Sequence, residues 1–342
     1  MNDTTRVDEV EARIETVRRL LDRRQAGGVM LSARHNFSWL TRGGVSHVLM
    51  ATQDGAVPVL VTANEVTALA PTNEADRIAD EELDGLPIEV RPTPWHDEGA
   101  ARRLAEAAAG GALLDDGDLA TDLLLHRSRL DGVERERIAE LGRLAVSATE
   151  AGLAAVGPGD SETDAVVAMV ERVARHDARA PVVLAAADER IARYRHPLPA
   201  GAEVRRRLML VLVVERWGLH AAVTRIRELE RPDAELARRN DAAATVLDAM
   251  HRATHPGGTL GEVLAAARSA YRETGFPGEW ELHHQGGSIG YQSRERIAVP
   301  GDATLIEPGA AFAWNPSITG AKAEETLLLM PDGEQRVVTR PG

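Results

Sequence analysis

Glu281-Leu-His-His-Gln-Gly-Gly-Ser-Ile-Gly290, followed closely by Arg294-Glu295, packs two histidines, a glutamine and three glycines into ten residues. Glycine lets a backbone approach another group closely, and imidazole is the side chain that changes charge near neutral pH. The stretch therefore reads as part of a site. Before it, Thr259 to Thr274 has helical spacing; after it come strand and turn signals around Ala311 to Asn315 and Glu324 to Met330. Helices followed by antiparallel strands give an α+β arrangement rather than alternating βαβ units.

Working upstream, Leu208-Met-Leu-Val-Leu-Val-Val214 reads as a buried strand, Gly218 as a turn and Leu219 to Ile226 as its antiparallel partner. Val133 to Val156 has helical spacing and stops at Gly157-Pro-Gly159. Ser161-Glu-Thr-Asp164 and Thr259-Leu-Gly-Glu262 have the form of capping boxes opening further helices. Before Asp131 the texture changes. Val10, Ile14, Val17, Leu20 and Leu21 recur at helical spacing, and Gly27-Gly28 ends that helix before strand-like Val29-Met-Leu31. Val48-Leu-Met50 and Val57-Pro-Val-Leu-Val61 read as a hairpin across Gln53-Asp-Gly55, with Pro58 placing its strand at an edge. The expectation is an α/β domain over residues 1–132 and a second domain over 133–342.

Composition narrows the function. A chain of 342 residues with 44% hydrophobic and 27% charged residues suits two globular domains. The net charge of −13 disfavours nucleic acid and anionic membranes as partners. The absence of cysteine removes disulfides, thiolate metal sites and cysteine nucleophiles. No apolar run reaches spanning length, and Met1 to Glu9 is polar and acidic, so a cytoplasmic protein is expected.

The order of these signals resembles the creatinase, prolidase and aminopeptidase P family, whose catalytic domain has the pita-bread fold. The landmarks are Asn36-Phe-Ser-Trp-Leu-Thr41, Gly157-Pro-Gly159 with Glu162, Arg195-His-Pro197, Val223-Thr-Arg225, the Gly287-Ser-Ile-Gly290 loop with Glu295, and Gly320-Ala-Lys-Ala-Glu-Glu-Thr326. Each motif is weak alone, but their order covers nearly the whole chain. The resemblance implies a creatinase-type amino-terminal domain, a pita-bread catalytic domain from residue 133, and a homodimer.

It also implies two metal ions held by two aspartates, a histidine and two glutamates. Those positions fall on Val211, Ala222, Gly287, Asn315 and Glu324, of which Glu324 alone keeps the family's residue. A dinuclear centre needs several anionic oxygens or imidazoles in one shell. The expectation is a metal-independent site with no cofactor.

What remains converges on the same place. The resemblance puts His196 where creatinase has its general base and His283 at the family's other pocket histidine. Strand alternation from Ala222 adds His220 to the pocket face; from Glu324 it adds Lys322, and from His283 it adds Gln285, while His284 points away. His196, His283 and Glu324 are then the catalytic candidates, with the carboxylate orienting an imidazole that takes the proton. Arg294 and Lys322 would bind a substrate carboxylate, and Asn315 and Gln285 would donate to an oxyanion.

Each residue also has a bland reading: a strand histidine held by a structural hydrogen bond, or Lys322 and Arg294 in salt bridges to Glu324 and Glu295. The function expected is C–N bond hydrolysis on a small amino-acid-derived substrate, by histidine acid–base catalysis. The alternatives are a catalytically inactive binding module, a metallopeptidase with a mononuclear site rebuilt from His220, His283 and Glu324, and a lyase or isomerase on the same scaffold.

Overall fold

The apolar positions at helical spacing form helix α1, Asp3–Arg24, and Val10, Ile14, Val17, Leu20 and Leu21 are all buried. This is a computed structural model describing residues 3–340, so Met1 and Asn2 of the polar amino-terminal stretch lie outside the described residues. The chain divides into two compact units, Met1–Arg127 and Ser128–Gly342. In the first, strands β1 (Gly28–Ala33), β2 (Asp54–Thr62), β3 (Val66–Pro71), β4 (Glu89–Thr93) and β5 (Leu113–Asp115) form one sheet in the order β4-β3-β2-β1-β5. Helices α2 (Arg34–Leu40), α3 (Ala75–Arg77), α4 (Ala100–Ala109) and α5 (Ala120–Ser128), with a π-helical turn at Ile78–Glu82, complete the unit.

Two expectations fail here. Val48-Leu-Met50 is not a strand, and all three side chains are exposed. The strand carrying Pro58 is not an edge, because β2 lies between β3 and β1. Pro58 is tolerated because it sits where the β1–β2 register is interrupted and one residue before the β2–β3 ladder begins at Val59. No ladder bond is asked of its missing N–H.

In the second unit, the capping residue Asp131 opens α6 (Gly132–Ala154), Ser161 opens α7 (Glu162–Ala174) and Thr259 opens α10 (Leu260–Glu273), each through a complete capping box. Between them come β6 (Arg179–Ala187), α8 (Glu189–Arg193), β7 (Arg207–Arg216), β8 (Leu219–Glu228) and α9 (Ala234–Ala253). The apolar run of β7 is central, flanked antiparallel by β6 and β8. A second antiparallel sheet has the order β10-β9-β11-β14-β15, from β9 (Gly286–Ile289), β10 (Arg296–Ile297), β11 (Ala311–Trp314), β14 (Glu325–Leu329) and β15 (Gln335–Val337). A short pair, β12 (Ser317–Ile318) and β13 (Ala321–Lys322), leads into it. Helices α9 and α10 cover this sheet through a core that includes Val246, Met250, Val263, Phe312 and Trp314. This is the pita-bread architecture.

The outer edge of β8 joins the two sheets. The backbone N–H of His220 donates to Gly290 O at 2.9 Å, that of Ala222 to Thr326 Oγ1 at 2.9 Å, and that of Thr224 to Glu324 O at 3.4 Å. Alternation does give residues 220, 222 and 224 a common direction, as expected. What they share at this edge is a set of backbone bonds that closes the sheets around the site.

Candidate active site

Four aliphatic side chains form one wall of a cavity of about 120 Å³: Val182 and Leu184 from β6, facing Val213 and Val211 from β7 in register. His196, His284, Arg294, Asn315, Lys322 and Glu324 line the rest, with Ser293. The cavity is thus half aliphatic and half strongly polar.

Glu324 lies at the centre of the polar half. Its carboxylate accepts from Thr224 Oγ1 at 2.6 Å and Arg294 at 3.0 Å, and Lys322 Nζ lies 3.5 Å away. Burial opposes ionisation, but the Lys322 and Arg294 charges and the Thr224 bond outweigh it and bring the carboxyl down to about 2. Burial also pushes the Lys322 ammonium below its ordinary value, while Glu324 pulls it back up. Both bland readings of the cations thus meet on Glu324, and Arg294 does not pair with Glu295. Arg294 Nε and Asn315 Oδ1 are buried without hydrogen-bond partners.

The histidines come from two loops. His196 sits at the exposed mouth, on a loop held by Ala185 N to Pro197 O at 3.1 Å, Arg190 to Leu198 O at 2.8 Å, and Ala200 N to buried Glu162 at 3.1 Å. Its Nε2 lies 2.9 Å from Nε2 of His283, which is buried behind it. His284 stacks on His283 with ring centroids 4.4 Å apart, and its centroid is 5.8 Å from that of His196. Burial is the main cause that depresses all three pKa values; the Lys322 charge adds to it at His196 and His283, and that of Arg294 at His284. His283 falls to about 2 and His284 to about 4, so both rings are neutral at physiological pH.

Three expectations are corrected. His284 lines the cavity rather than pointing away, because His283 to Gln285 precede β9 and Gly286, at φ +100°, breaks the alternation. Gln285 is no oxyanion donor: its Nε2 donates to the carbonyls of Trp280 and His283, and its Oε1 accepts from Tyr271 at 2.7 Å. His220 does not line the cavity; its Nδ1 lies 3.1 Å from Gly290 O. A mononuclear centre of His220, His283 and Glu324 therefore does not assemble.

The two-metal set implied by the resemblance does not fit either. Val211 and Ala222 are buried hydrocarbon, and a Cβ on Gly287 would overlap the carbonyl oxygen of Arg296. Glu324 already faces two organic cations. Among the described residues, His196, His283 and His284 form a group whose ligand atoms lie within 4.8 Å of one another. Three neutral imidazoles would suit a borderline ion such as zinc. Against that, Nδ1 of His284 already accepts from Gly286 N at 3.3 Å, and Lys322 and Arg294 put positive charge beside the rings.

Strand alternation places Thr224 beside Ala222, and its hydroxyl reaches Glu324, whereas Ser293 enters the site through position alone, since a hydroxyl in a turn carries no distinctive sequence signal. Among the described residues, no helix is long and apolar enough to cross a membrane.

Comparison with known proteins agrees with this architecture. A stretch of 133 residues is 32% identical to a probable dipeptidase PepE of Mycobacterium tuberculosis H37Rv, a match spanning 36% of this chain and about a third, 34%, of that relative. The dipeptidase PepE from Mycobacterium ulcerans superposes with a TM-score of 0.80 at 16% identity, over 98% of this chain and 97% of that one. The prolidase from Pyrococcus horikoshii OT3 gives 0.79 at 16%, over 96% and 98%. At such identities the structural likeness is one of fold. Residues 136–331, more than half of the chain, match the model of metallopeptidase family M24, and with the pita-bread sheets closed around this cavity the chain belongs to that family.

Proposed function

We propose that the protein is a metal-independent hydrolase of a C–N bond in a small, amino-acid-derived substrate bearing a carboxylate. The observation that carries this reading is the Lys322–Glu324–Arg294 triad beside His196: fixed organic cations stand in the pocket whose relatives use metal ions. With Glu324 ionised, one positive charge of the triad is left for a substrate carboxylate, which Arg294 can bind through its unpartnered Nε–H. The aliphatic wall suits a short apolar side chain. A volume of about 120 Å³ favours a molecule the size of one amino acid over a dipeptide, since an engineered cavity of about 150 Å³ holds benzene.

In this reading His196 Nε2–H donates to His283, leaving Nδ1 of His196 bare to take a proton from water. The hydroxide oxygen bonds to the carbonyl carbon, the carbonyl oxygen takes the negative charge, and the C–N bond breaks as the imidazolium returns its proton to the leaving nitrogen. Water and substrate give one acid and one amine.

The test is amine release from N-carbamoyl and N-acyl amino acids with short aliphatic side chains, in chelator and with added manganese, cobalt or zinc. Turnover that survives the chelator and is lost in His196→Ala supports the reading; turnover only with metal overturns it. Closure of Glu324 by internal partners favours a second reading, a binding module, which binding without product release would support.

A further inference from the structure

One hydrogen bond fixes the tautomer of His284. Its Nδ1 accepts from the backbone N–H of Gly286 at 3.3 Å, and a backbone N–H can only donate. The neutral ring therefore carries its proton on Nε2. Gly286 is held in turn by β11, to which it is paired opposite Trp314, so the acceptor side of the ring is fixed by sheet structure. The stack on His283 and the place of His284 in the cavity wall restrict the ring further.

Resting on the hydrolytic reading above, we infer that His284 is a catalytic residue: its Nε2–H donates to the carbonyl oxygen of the scissile bond and holds the oxyanion that forms there. Of the two residues first suited to that role, Gln285 is committed elsewhere and Asn315 lines the same cavity as a second amide donor, while the Arg294 and Lys322 charges are divided between Glu324 and the substrate carboxylate. A neutral donor held in place needs no counter-ion and no reorganisation as the oxygen gains charge. No landmark of the family resemblance includes position 284. A metal ion shared by the three imidazoles requires a bare nitrogen on His284 facing its neighbours, so one measurement separates the two arrangements.

That measurement is nitrogen NMR of the full chain labelled in histidine, with His284→Gln used for assignment. The expected result is a protonated Nε2 and a bare Nδ1. The reverse tautomer, or a zinc-induced shift of the His284 nitrogens at one equivalent of zinc, overturns the inference. For a substrate that turns over, His284→Ala should lower kcat by about 100-fold with KM changed far less, the range for loss of one oxyanion donor. His284→Gln, which retains an N–H, should recover at least about tenfold of that loss. A kcat unchanged in His284→Ala overturns the role. If the wild-type protein turns over nothing, the hydrolytic reading fails separately, and binding of N-carbamoylglycine decides the contact: His284→Ala should weaken it about tenfold, the worth of one hydrogen bond, and His220→Ala should not. Equal weakening by both overturns it.

Discussion

Glu324 shows what a single buried charge controls. It is ionised because Lys322 and Arg294 face it, and both would be left without a counter-charge if it were neutral. Glu324→Gln is expected to lower stability by about 3 kcal/mol, as removal of one partner from a buried ion pair does. Urea unfolding reads this, and a loss under about 1 kcal/mol would show that the pair is already relaxed. His251 gives the same sign of dependence on acid, in a higher pH window. Its ring is buried, its Nε2 lacks a partner, and Glu325 lies 3.8 Å from Nδ1. Burial holds its pKa below the ordinary value despite Glu325. The folded pKa is therefore below the unfolded value of about 6.5, so this contribution is intact above that pH and declines as pH falls through it. His251→Gln should flatten the decline in urea midpoint between about pH 7.5 and about pH 5.5; an equal decline in the variant would place the sensitivity in other groups.

At the scale of elements, helix α10 locks the histidine loop to the short β12 strand. The hydroxyl of Tyr271 donates to Gln285 Oε1 at 2.7 Å and accepts from Ser317 N at 2.9 Å, and Gln285 in turn holds the carbonyls of Trp280 and His283. Tyr271→Phe should destabilise by about 2 kcal/mol and speed amide exchange at Ser317 and Gly286; unchanged exchange would mean the loop is held by β9 alone. The capping boxes at Ser161 and Thr259 and the β7–β8 pair were legible in the sequence, because each depends on local chemistry or on spacing along one element. The side-chain directions of His284 and Gln285 were not. Alternation extrapolated backward from β9 fails at Gly286, whose positive φ redirects the chain. His220 and the strand of Pro58 were misread for a related reason: their roles depend on which neighbour docks on a strand edge, and that partner is distant in sequence. Glu324 could be placed beside Lys322 by alternation, but only packing reveals that Arg294 closes the same carboxylate.

At the scale of the molecule, every residue lining the cavity belongs to the unit Ser128–Gly342. That unit has its own apolar core, including the α9–α10 layer. Residues 128–342 expressed alone should unfold in one cooperative transition and bind N-carbamoylglycine within about threefold of the whole chain's affinity, within the few tenths of a kcal/mol typical of independent parts. A fragment that folds but does not bind would show that the first unit completes the pocket.

Gly287 sets a direction on how such a protein can change. A side chain there would collide with main chain of β10, not with another side chain that could rotate aside. Placing acids at positions 211, 222 and 315 would therefore still leave the imidazole that the family resemblance implies at 287 without room. A laboratory lineage that placed a side chain at 287 would first have to open the β9–β10 pairing, at a cost in stability.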